Sequence, residues 1–258
     1  GLTYGGGDLG LGTLYRLTPD GTVTTLVSFD GANGSTPSGG LVQASDTHIY
    51  GTTQRGGEFD QGIAFRITLA GVFEKLADFD PATTGASPLG GLIEATERFM
   101  YGTAPFGGEF SLGTVFRLTQ AGELSAVAAF DSSNGDMPTS GVVQGPDGDL
   151  YGATEFGQDG FGSLFRLSML DATLTSIKSF DGIDGYTPTA RPLLASDGYL
   201  YGTTLFGGDA DLGVIYRVAL DGNAFSVVAS FDGSNGAFPF EEGLVEGAAG
   251  AVIGTAGN

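Results

Sequence analysis

The 258-residue chain carries 30 acidic and 10 basic side chains, a net charge of −20, with 47 glycines, 10 prolines and no cysteine. That charge repels phosphate backbones and anionic membrane surfaces, so nucleic-acid binding is excluded as a role, and the absence of thiols and the single His48 exclude disulfides and thiolate or histidine metal centres. Glycine at this level without a strict triplet excludes collagen, 41% hydrophobic residues argue against disorder, and no apolar run is long enough for membrane insertion as a helix.

In chain order, two strands come first, at 12–18 and 23–29, joined by the turn Pro19-Asp20-Gly21. Four fuller copies of the same pattern follow, at about 40–82, 91–133, 141–183 and 192–233, and a shorter one at 243–256. In the second of these the strands read as 90–95, 98–104, 113–119 and 123–130. Three landmarks recur at intervals of about 50 residues. An aromatic precedes Arg16, Arg66, Arg117, Arg166 and Arg217. A Phe precedes Asp30, Asp80, Asp131, Asp181 and Asp232. A Tyr precedes Gly51, Gly102, Gly152 and Gly202, with Ile253 before Gly254 in the last copy. The strands are apolar on both parities, as sheets covered on both faces require, and no stretch has a helical period.

These patterns predict an all-β fold: a five-bladed β-propeller with four antiparallel strands per blade, 1–258 forming one domain. The N-terminus begins with a third and fourth strand, and the C-terminus stops after a first and second. The ring is therefore expected to close as a monomer through a blade shared between 243–256 and 1–29, which removes two sheet edges. Gly1 in place of Met reads as a processed or trimmed start.

The runs YGTTQRGGEFDQGIAFRIT at 50–68, YGTAPFGGEFSLGTVFRLT at 101–119, YGTTLFGGDADLG at 201–213 and SFDGANGSTPSGGLV at 28–42 resemble the GloVer tandem repeat of bacterial exported and surface-anchored proteins. The resemblance covers essentially the whole chain and implies a bacterial extracellular or cell-surface setting. It carries no catalytic motif, so it assigns no site residues. The strand plan is also similar to the quinoprotein-like propeller repeat, without a cofactor signature.

The short links fall at one end of each four-strand unit and the long loops at the other, and a ligand is expected on the long-loop side, because binding residues concentrate on loops held by a rigid scaffold. Three kinds of residue stand out there. Asp181, Asp184, Asp209 and Asp211 read either as calcium ligands or as turn formers bonding their own backbone; calcium is the only cofactor this leaves open. Phe106, Phe156 and Phe206 recur at one loop position and read either as sugar-stacking rings or as plugs between blades. Arg191, Glu241 and Glu242 break the small-residue pattern leading into the first strand of their copies, and read either as a salt-bridge seal or as a specific site. The repeat arginines are expected to pair with the repeat aspartates after Phe.

The leading expectation is a non-enzymatic binding or adhesion module with a glycan or cell-surface partner. The alternatives are a glycoside hydrolase using Glu241, Glu242 and Glu94, which needs two carboxylates flanking a sugar, and an architectural ring in a surface layer or filament.

Overall fold

The computed structural model describes residues 1–239 and 243–257. The chain is all-β, apart from one 3-10 turn at Ala248–Gly250. It divides into two compact units, Gly1–Ala129 and Phe130–Asn258.

The first unit begins with β1 (Leu2–Thr3), β2 (Thr13–Leu17) and β3 (Val23–Ser28), which make a three-stranded antiparallel sheet. Two four-stranded sheets follow: β4 (Ser35–Gln43), β5 (Ile49–Arg55), β6 (Ile63–Ile67) and β7 (Phe73–Asp78), then β8 (Ile93–Glu94), β9 (Met100–Ala104), β10 (Thr114–Leu118) and β11 (Leu124–Ala129). In the second unit, β12 (Val143–Gln144), β13 (Leu150–Thr154), β14 (Ser163–Leu167) and β15 (Leu174–Ser179) form one sheet. β16 (Leu193–Leu194), β17 (Tyr199–Thr204), β18 (Val214–Ala219) and β19 (Ser226–Ser230) form the next, and β20 (Val245–Glu246) pairs with β21 (Val252–Ile253). Each four-stranded sheet runs in sequence order, so every link is a simple antiparallel connection.

The repeat is visible in the register. Each pairing of a copy's last two strands shifts immediately before the aromatic of the aromatic–Arg landmark: at Leu14/Tyr15, Ala64/Phe65, Val115/Phe116, Leu164/Phe165 and Ile215/Tyr216. A bulge at that point adds right-handed twist to the outer half of the sheet. The Tyr-Gly landmark has a packing reason. A Cβ on Gly102 would stand 2.6 Å from the Phe116 ring, and one on Gly51 equally close to Phe65, so glycine lets the ring lie flat across its own strand.

The Phe-Asp landmark joins successive copies. Within the first unit Phe79 meets Phe116 at 4.9 Å between ring centroids, nearly edge to face. Within the second, Phe130 meets Phe165 at 5.0 Å and Phe180 meets Tyr216 at 5.2 Å. All six rings are buried. Such pairs contribute roughly 0.5–1.5 kcal/mol beyond the burial of their area.

First strands are shorter than the sequence suggests, two residues in β8, β12, β16 and β20. Small residues ahead of them let neighbouring backbones touch: a Cβ on Gly91 would stand 3.0 Å from the Gly40 nitrogen.

The N-terminal copy holds more than a third and fourth strand. β1 occupies the second-strand place, with Leu2 opposite Leu14 and Thr3 opposite Thr13, as Thr52 stands opposite Ala64 in the next copy. The Gly1 amine donates to the Tyr15 carbonyl at 2.9 Å. β1 does not reach the far end of β2. Leu17 is therefore 61% exposed, whereas Ile67 and Leu118 at the same repeat position are 1% and 0% exposed. An apolar hollow of about 390 Å³ lies beside it, lined by Leu14, Leu17, Leu26, Leu41, Ile49 and Ile67.

Candidate binding face

Antiparallel order puts two long loops of each copy at one end of its sheet. One joins the second strand to the third; the other leads in from the preceding copy. A β-bridge ties them together in four copies, at Ala86–Phe106, Asp136–Phe156, Tyr186–Phe206 and Ala237–Gly257. This end is thus a set of braced loops rather than loose connections.

The aspartates after Phe brace those loops instead of pairing with the repeat arginines. Asp30 and Asn33 exchange backbone-to-side-chain bonds, both at 2.8 Å. Asp131 with Asn134, Asp181 with Asp184 and Asp232 with Asn235 repeat the arrangement. The hydroxyls of Ser133 and Ser234, together with loop N–H groups, hold the Asp131 and Asp232 carboxyls below the usual range.

The arginines find partners on their own or adjacent strands and turns. Arg66 pairs with Glu74 and donates to the Gln120 carbonyl. Arg166 pairs with buried Asp149. Arg217 bonds the Ser226 hydroxyl and covers the Tyr199 ring, and Arg117 covers Phe99 at 5.0 Å. The expected Arg–Asp pairing is therefore incorrect. A short carboxylate four residues past the bulge is used up by its own turn, while the guanidinium lies among strand neighbours.

The calcium candidates are partly committed. Asp181 accepts the Ile183 and Asp184 N–H groups, and Asp184 pairs with Lys178. Asp211 accepts the Gly207 N–H at 3.0 Å, and Asp209 is exposed. Among the described residues no group of three acidic or histidine side chains is placed to hold a metal ion.

Glu94 accepts both the backbone N–H and the hydroxyl of Ser45, at 2.7 and 2.6 Å, and Glu246 clasps Ser196 in the same way. These clasps sit at the short-turn end. Arg191 is exposed, and its carbonyl lies against Gly243. Glu241 and Glu242 fall outside the described residues. One carboxyl pair stands out at the loop end: burial pushes Asp136 and Glu155 up, and the Asp136 charge adds to the rise at Glu155.

Phe106 and Phe156 are exposed at the loop end, whereas Phe206 is half-buried, stacked on Tyr186 at 5.0 Å with Phe238 edge-on at 5.7 Å. Further exposed apolar residues occupy the loop between second and third strands: Leu9, Phe59, Phe110 and Phe161. These four are not among the positions that the repeat landmarks single out. The signal was present, since Leu9, Phe59 and Phe110 each follow an acid and a pair of glycines, a context with no packing partner in view.

Several solved propeller-type structures share the fold. A gluconolactonase from Xanthomonas campestris is 17% identical, with a TM-score of 0.57 over 95% of this chain and 76% of that one. A putative gluconolactonase is 17% identical, TM-score 0.56, over 85% and 71%. The GH74 enzyme of Niastella koreensis is 14% identical, TM-score 0.59, over 84% of this chain and 34% of its own. At such identities the likeness establishes the fold alone. No curated protein matches the chain in sequence. Residues 1–195 match the pattern of the Gloeobacter/Verrucomicrobia repeat, and the chain therefore belongs to that family.

Proposed function

We propose that this chain is a non-enzymatic binding or adhesion module of a bacterial exterior, its five copies forming a monomeric five-bladed ring that presents a ligand site on the long-loop side. The observation that carries this reading is the repeated exposure of apolar side chains on braced loops: Leu9, Phe59, Phe106, Phe110, Phe156 and Phe161 stay open to solvent, whereas the rings that pack between copies, such as Phe79, Phe116, Phe130, Phe165 and Phe180, are fully buried. Side chains of that kind on a fixed scaffold suit recognition, because little ordering entropy is lost on binding. A carbohydrate fits better than calcium, since three of the four candidate aspartates already hold backbone or lysine partners. A glycan array combined with a calorimetric calcium titration tests the reading. Retention of a glycan without turnover is the expected result. Calcium uptake without glycan retention, or hydrolysis of the retained glycan, would overturn it.

Ring closure has its own test. By the register of Ile49 with Ile67, Val252 would stand opposite Leu17 in a shared last blade. In this cysteine-free chain, Leu17→Cys with Val252→Cys is expected to give an intramolecular cross-link on oxidation. Only intermolecular cross-links, or none, would contradict closure.

A further inference from the structure

Three aromatic side chains of the second unit depart from the symmetry of the loops and meet a fourth, the repeat residue Phe206, at a single place. Tyr186 stands where the other copies have Ser35, Ala86, Asp136 and Ala237. Phe238 stands where they have Thr36, Ser87, Met137 and Thr187, and Phe161 replaces Leu11, Gln61, Leu112 and Leu212. Matching backbone bonds fix this correspondence: Thr36, Ser87, Thr187 and Phe238 donate to the carbonyls of Leu11, Gln61, Phe161 and Leu212. Phe206 completes the group. The loop scaffold is thus closed elsewhere by Ser, Ala, Asp, Thr, Met, Leu or Gln, and packing does not demand rings here.

The rings form a ladder. Tyr186 and Phe206 stack at 5.0 Å with planes 20° apart; Phe161 meets Tyr186 edge-on at 5.9 Å, and Phe238 meets Phe206 edge-on at 5.7 Å. Reciprocal backbone bonds between Tyr186 and Phe206, at 3.0 and 3.2 Å, hold its centre rigid. Phe161 is exposed, and Tyr186, Phe206 and Phe238 are half-buried, so the ladder still shows surface to solvent. Its polar edge is a single carboxylate: the Tyr186 hydroxyl lies 3.5 Å from Asp211 Oδ2, while Asp211 Oδ1 takes the Gly207 N–H. Nearby along the chain, Asp184 pairs with Lys178 and Asp181 is tied to the backbone of its own turn, while Asp159 and Asp209 are exposed.

We infer that this ladder is a binding site for one neutral saccharide per chain, an inference that rests on the binding reading above and narrows it to one place. Aromatic rings match the C–H faces of a sugar, and the one well-placed acceptor, Asp211 Oδ2, matches a sugar hydroxyl. An acidic ligand is rejected by a chain of net charge −20. A metal ion is matched less well, because among the described residues no group of three acidic or histidine side chains is placed to hold one. The stoichiometry follows from the departure from symmetry: one site, not five.

Nine tyrosines share the intrinsic fluorescence of the chain, so binding is followed by isothermal titration calorimetry, which also gives the stoichiometry. Wild type, Tyr186→Ala, Phe206→Ala, Asp211→Asn and the control Leu170→Ala, at an exposed position on the short-turn end, are titrated with soluble β-1,3-glucan, β-1,4-glucan and β-1,4-xylan oligosaccharides, and with tetramethylammonium chloride. Melting curves confirm that each variant is folded; exposed Asp211 serves if a ring variant is not. The expected result is one saccharide bound per chain, weakened about tenfold by each ladder variant and by Asp211→Asn, and unchanged by Leu170→Ala. Saccharide binding indifferent to the ladder variants would overturn this site while leaving the binding reading intact. A response to tetramethylammonium alone would overturn the ligand class, and no response to any probe would overturn the inference. The broader reading is decided separately by the glycan array.

Discussion

Arg166 donates from Nε to Asp149 Oδ2 at 2.6 Å, and Asp149 is buried. Its second oxygen accepts the Met169 N–H at 2.8 Å, so one carboxylate closes both a strand pair and a turn. Asp149→Ala leaves the guanidinium and the N–H group without their partner. Thermal or urea unfolding is expected to show a loss on the order of 3 kcal/mol.

Arg117 holds the same repeat position, where it covers the Phe99 ring and lies beside the Tyr101 side chain rather than in an ion pair. Arg117→Leu is therefore expected to cost clearly less than Asp149→Ala, about 1 kcal/mol or below. Equal losses would mean that the arginine position, rather than its ion pair, matters to the fold.

The contact between copies is tested at Phe79 and Phe116. Phe79→Ala removes a fully buried ring from both its own copy and the next, and a loss of about 3–5 kcal/mol is expected on unfolding. A loss below 1 kcal/mol would show that successive copies are not held together through these rings.

The landmarks that revealed the repeat are the residues that carry its packing. Tyr-Gly was legible because a ring must cross a bare backbone, and Phe-Asp because a buried ring is followed at once by a turn. The ladder was not legible, since Phe161, Tyr186 and Phe238 are one-off changes in three different loops, and only the fold brings them together. β1 was missed because Leu2–Thr3 enters its strand place without a preceding Tyr. The Arg–Asp pairing failed because the turn bonds of Asp30 and its equivalents are local and form first claim on those oxygens.

Alkaline pH provides a further check. The Tyr50 hydroxyl donates to Asp46 at 2.7 Å, and burial with that bond pushes its pKa up to about 12 from an ordinary 10.0. Burial also pushes Tyr101, Tyr151 and Tyr216 up. The neutral phenols are favoured in the folded state. Their contribution is complete below pH 10 and is lost as pH rises from 10 toward 12 and beyond. Tyrosinate absorbance followed alongside circular dichroism is expected to show a group of tyrosines that ionise only as the fold melts. Ionisation of all nine tyrosines near pH 10 with the fold intact would contradict the assigned environments.

The clasp of Glu94 on Ser45 separates structure from catalysis. Glu94→Gln is expected to lower stability by about 1–2 kcal/mol, since a charge-assisted pair becomes a neutral one, and to leave ligand retention unchanged.

The central claim, that the braced loop end binds without transforming its ligand, is tested most directly by incubating a retained glycan with the protein and analysing that glycan by mass spectrometry. Wild type and the loop variants Phe106→Ala, Phe110→Ala and Tyr186→Ala are compared in the same retention assay. The account predicts an unaltered glycan and weaker retention in at least Tyr186→Ala at unchanged melting temperature. A shortened or oxidised glycan, or retention indifferent to every loop variant, would contradict it.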